Sequence, residues 1–174
     1  MSSHNVRAAP SHGIKSILPF ILALLAAVLT TLSYGVSMGA DATPSITLIV
    51  VFFWVSRRPA LLPPLAILAI GLWHDALIGA PIGLTPMLLL AVRAAIVEQN
   101  IIIFSQSFLL GWIGFAALCS LITLLEWLVV SWVQGAFMAG SPFVVQAVLG
   151  IVVYPLVAGL CGWLDYVVFG IRKG

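Results

Sequence analysis

Long apolar runs alternate with short polar breaks along this chain. A polar stretch covers residues 1–16, and apolar residues then fill 17–36. Further apolar runs occupy 45–56, 61–78, 84–97, 108–133 and 143–169. The breaks between them are 37–43, the Arg57-Arg58-Pro59 corner, 79–83, a weakly polar stretch from Glu98 to Ser107, and 134–142. A hydrocarbon core of ~30 Å needs about 20 apolar residues in a helix, so most of these runs have membrane length. Backbone polar groups in lipid must be satisfied within the protein, which leaves helices or closed barrels. Barrel strands would alternate polar and apolar residues, whereas these runs are continuously apolar. The pattern therefore predicts an all-α membrane protein with about six transmembrane helices. The 45–56 run is short for a full crossing, and five crossings remain if it only re-enters.

Composition strengthens this picture. Of 174 residues, 63% are hydrophobic and 7% charged, with mean hydropathy +1.23. A soluble domain carries about 25% charged residues because its surface faces water. The organisation expected is a polar arm (1–16), a single polytopic domain (17–170) and a basic tail (171–174). The first run exceeds a signal-peptide core and no A-x-A site follows, so it reads as a retained first helix. A net charge of +2 is too small to suggest nucleic-acid binding.

The positions of the basic residues predict orientation. With six crossings, Arg7, Lys15, Arg57, Arg58, Arg172 and Lys173 all fall on one side, and the opposite loops carry only Asp41. Both termini are then cytoplasmic, in the plasma membrane, or the inner one where a cell has two.

Ionisable residues within apolar runs are costly and call for explanation. Asp75, Arg93, Glu126 and Asp165 are of this kind, with His74 beside Asp75. Asp75 lies roughly 6 Å, and Glu126 roughly 10 Å, below the outer ends of their helices. Arg93 lies roughly 13 Å into the fourth helix, from where its side chain reaches up or snorkels inward. Arg93 is therefore a possible partner for Glu126 or, less easily, Asp75; structural pairing and a functional role both stand. Asp165 reads as a helix-end residue near Arg172. Adjacent helical residues point about 100° apart, so His74 and Asp75 do not converge on one metal ion. Cys119 and Cys161 read as small packing residues. No nucleophile elbow, H-E-x-x-H, P-loop or glycine fingerprint occurs, so the reading is non-enzymatic and without cofactor. The six tryptophans fit an aromatic belt at the headgroups, and Gly111 with Gly114, and Gly159 with Gly162, allow close helix contact.

One segment is more specific. Residues 71–84, Gly-Leu-Trp-His-Asp-Ala-Leu-Ile-Gly-Ala-Pro-Ile-Gly-Leu, have the form G-x-x-x-D-x-x-x-G-x-P-x-G-L. Gly71 thins its helix for close packing, and Gly79, Pro81 and Gly83 permit a tight reversal. Asp75 is placed to accept hydrogen bonds from that turn or from the start of the fourth helix, whose N-terminus is partially positive. A structural role and a partner-binding role are both open to it.

The segment resembles the signature of the MreD family, rod-shape-determining membrane proteins of the bacterial cell-wall elongation machinery. Pro44 opening a short aromatic-ended helix, and Tyr154-Pro155 within the last one, agree in order with it. The resemblance implies a non-enzymatic scaffold that binds MreC, a single-span protein, and couples to MreB filaments and the wall-synthesis transpeptidase and glycosyltransferase. It also implies a fold similar to the substrate-binding subunits of energy-coupling-factor vitamin transporters. That supplies the alternative function: a small-molecule binding subunit with Asp75, Arg93 and Glu126 around an outward pocket.

Overall fold

A computed structural model describes residues 12–36, 45–79, 81–98, 107–135, 137 and 139–170. Among them the chain is all-helical. The helices are α1 (His12–Val36), α2 (Ile46–Arg57), α3 (Pro64–Ile78), α4 (Leu84–Glu98), α5 (Phe108–Val133) and α6 (Ser141–Phe169), with a 3-10 turn at Pro59–Leu61. By length and composition α5 and α6 are long and apolar enough to cross a membrane.

Helix bounds follow the hydropathy edges closely, except at the start. Helix α1 begins at His12, five residues before the apolar run. Hydropathy marks where apolar surface starts, and a helix continues across that edge as long as its backbone hydrogen bonds do. Helix α3 opens with Pro63 and Pro64, where a missing N–H costs nothing. It ends at Gly79, whose φ of 68° is the left-handed conformation that closes many helices.

The helices run up and down between two unlike ends. One end gathers Ser45, His74, Thr85, Glu126 and Gln146, and the other gathers Arg57, Ser107, Phe108 and Gly162. Helices α3 and α4 form one close hairpin and α5 with α6 another, while α1 packs on α2 and α3.

Helix α2 is the hub, in contact with α1, α4, α5, α6 and the 3-10 turn. Every residue from Thr47 to Val55 is buried. A helix that is apolar all round belongs in a core, and this one is about 18 Å long, short enough to be enclosed. Its Phe52 meets Phe115 edge-on at 5.3 Å and Tyr154 at 6.0 Å. Tyr154 stacks on Phe115 at 4.5 Å. Trp54 is fully buried, which corrects the aromatic-belt reading at that position. Trp73, Trp132 and Trp163 are exposed.

Among the described glycines the tightest helix contact is at Gly71 of α3. A Cβ at that position would lie 2.5 Å from Pro86 Cα of α4. A second close approach, Gly150 of α6 against Cys119 of α5, carries no signal in the sequence. Gly159, by contrast, faces open space, so the close contact expected there does not form. Cys119 and Cys161 are buried and unbonded.

Candidate functional site

The motif segment folds into a latched reversal. Gly79 and Gly83 both have positive φ, 68° and 102°, a region where side chains are disfavoured. Pro81, in between, is exposed, and its carbonyl accepts from Leu84 N–H at 3.1 Å to start α4. Asp75 is 1% exposed. Its Oδ2 accepts from Gly83 N–H at 2.8 Å and its Oδ1 from Thr85 N–H at 3.3 Å.

The first-turn amides of a helix have no intrahelical acceptor, and a carboxylate there also meets the positive end of the helix dipole. Asp75 therefore caps α4 from α3, across the turn. Thr85 Oγ1 and His74 Nδ1 lie 3.4 Å apart, a second and longer link across the same hairpin. Gly71, one turn below Asp75, lets α4 come close enough for both.

Beside the latch lies a cavity of about 30 Å³. Each of the six helices, or in the case of α2 its N-cap, contributes a polar side chain: Thr30, Ser45, His74, Thr85, Glu126 and Gln146. Gln146 Nε2 donates to Glu126 Oε2 at 3.3 Å. His74 is 7% exposed, and its Nε2 has no hydrogen-bond partner.

Arg93 does not reach this region. Its Nη1 donates to the Pro59 carbonyl at 3.3 Å, at the basic end, so the pairing with Glu126 does not form. The guanidinium turns toward its own helix's C-terminal end, against the corner where the 3-10 turn begins. Asp165 is likewise at the basic end, but its partner is Arg58, at 2.9 Å. The Arg58 guanidinium also lies over the Phe169 ring at 4.2 Å. Arg172, near which the sequence predicts Asp165 to lie, is outside the described residues, as is Pro44.

Tyr154 belongs to the aromatic core, while Pro155 points outward and is exposed. Thr30, Ser45, Thr85 and Gln146 are the site residues that sequence reasoning passed over. The available signal was weak, a polar side chain at depth in an apolar run. Among the described residues no three His, Cys, Asp or Glu side chains cluster as a metal site would need. No family model, curated protein or solved structure matches the chain.

Proposed function

We propose that this chain is a six-span, non-enzymatic scaffold of the plasma membrane, akin to the MreD family, with both termini in the cytoplasm. In this reading it binds an MreC-like single-span protein and, through it, serves MreB filaments and the wall-synthesis transpeptidase and glycosyltransferase. The observation that carries the reading is the latched reversal over residues 71–86. The motif that resembles the family is also the place where glycine, aspartate and proline have interlocking physical roles.

Membrane residence is supported by the exterior. Leu124 and Leu128 of α5, and Val148, Val152, Leu156 and Leu160 of α6, are all exposed. A contiguous apolar face of that extent is suited to lipid or to another membrane protein. The up-and-down helix order puts Arg57, Arg58 and Arg93 at one end, which the positive-inside rule makes cytoplasmic. Helices α2 to α4 are short for a ~30 Å core, at 12 to 15 residues each. As spans they require local thinning of the bilayer or their burial against longer neighbours.

The transporter-subunit reading draws on one feature, the polar cavity lined from all six helices. At about 30 Å³ it has room for water. Pockets that enclose a vitamin-sized ligand run to about 300–1,000 Å³. Asp75 is also already satisfied by backbone amides, and Glu126 by Gln146. Paired carboxylates beside a water-sized space favour the scaffold.

The test is co-purification of the tagged chain from its native membranes in gentle detergent, with Asp75→Ala alongside. The scaffold reading expects an MreC-like protein with the wild type, and less of it with the variant at equal expression. Recovery of paired ATPases and a bound small molecule would overturn it. Full partner recovery with Asp75→Ala at equal expression would refute the role given to the latch.

A further inference from the structure

We infer that the basic end of the bundle holds a binding site for one anionic phospholipid, in a cavity between α2, α5 and α6. The cavity measures about 200 Å³. Phe52, Phe53 and Tyr154 form its apolar wall, with Gly159 on the α6 side and Arg57 at the mouth. It opens laterally, since both Phe108 (59% exposed) and Gly159 border it from the bundle surface.

Charge decides the class of ligand. Among the described residues three arginines stand at this end, and two are occupied. Arg58 is paired with Asp165, and Arg93 donates to the Pro59 carbonyl. Arg57 lies 4.9 Å over the Phe53 ring and has no acidic partner among the described residues. A guanidinium held by a ring face keeps its N–H fork available, and that fork matches two phosphate oxygens. The same ring is a wall of the cavity, so an apolar chain entering below the phosphate would lie against it.

Shape agrees with charge. A Cβ at Gly159 would meet nothing within 4 Å, and one at Gly162 would meet only Phe53 Cζ at 3.9 Å. Glycine at 159 therefore serves no helix contact in the bundle; it keeps the wall of the cavity low. An aromatic and glycine surface takes a flexible hydrocarbon chain without requiring a fixed shape from it. The site is independent of any protein partner, so it stands or falls apart from the scaffold proposal.

The full chain, purified in mild detergent, would be offered phosphatidylglycerol and phosphatidylcholine of identical tails, and retained lipid counted by native mass spectrometry. Wild type should retain one phosphatidylglycerol in preference to phosphatidylcholine by about tenfold, the scale of one charge-assisted contact. Arg57→Gln should abolish the preference, and Arg57→Lys should restore part of it. Gly159→Leu fills open space with a good helix former, so the fold is retained while the bound lipid is lost. Retention of phosphatidylglycerol by Gly159→Leu at the wild-type level, or an undiminished preference in Arg57→Gln, would overturn the proposal. Thermal protection by inorganic phosphate equal to that by the lipid would also overturn it, because the apolar wall would then contribute nothing.

Discussion

Gly71→Ala is the smallest change that tests the α3–α4 hairpin. The new methyl would lie 2.5 Å from Pro86 Cα, 2.6 Å from Pro86 N and 2.7 Å from Pro86 Cβ. These are backbone and ring atoms, so no side chain can swing aside. Carbon atoms pack at about 3.5 Å or more, so the helices must separate by roughly 1 Å. Asp75 sits one turn along the same helix, and its hydrogen bonds of 2.8 and 3.3 Å would stretch past useful length. Overpacking costs about 1–3 kcal/mol, and a hydrogen bond to a charged group is worth about 1.5–3 kcal/mol.

Against this, alanine is the better helix former by up to ~1 kcal/mol. The net expectation is destabilisation by about 2–4 kcal/mol. Reversible unfolding in mixed micelles, followed by circular dichroism, reads it. The sign is the decisive part. If Gly71 faced lipid, the substitution would stabilise, as Gly159→Ala should. A double-mutant cycle with Asp75→Ala adds a second check. The two changes damage one latch, so together they should cost less than their sum by about 0.5–3 kcal/mol. Strict additivity, or a Gly71→Ala variant as stable as wild type, would refute the argument.

Two further outcomes follow from the distribution of charge. Exchanging Arg93 and Glu126 should not recover stability over the single changes, because the Arg93 head is at Pro59 and Glu126 is with Gln146; recovery by the exchange would place them together after all. Arg58→Ala should cost about 1–2 kcal/mol by the same unfolding measurement. It removes both the ion pair with Asp165, whose side chains are 30% and 15% exposed, and the cation over Phe169; Asp165→Asn should cost less, since the ring contact stays.

The motif hairpin was legible in residue order because its chemistry is local. Asp75, Gly83 and Thr85 are separated by ten positions at most, and the glycines mark where the chain must turn. Helix ends were legible for a similar reason, since prolines, glycines and polar breaks act on their own neighbourhood. Which surfaces face each other was not. Hydropathy cannot separate a segment buried in protein from one buried in lipid, because both surroundings are apolar. Helix α2 accordingly read as the weakest span, and folded it is the most enclosed helix, with Trp54 fully buried. Arg93 is the complementary case: depth along a helix is a property of the sequence, but which way a long side chain turns depends on where an unpaired carbonyl lies. The cavity joins Thr30 to Gln146, and the ion pair joins Arg58 to Asp165, across more than 100 residues in each case. Such partners are chosen by helix packing, through contacts like Gly71 on Pro86 and Gly150 on Cys119, where the absence of a side chain sets the distance.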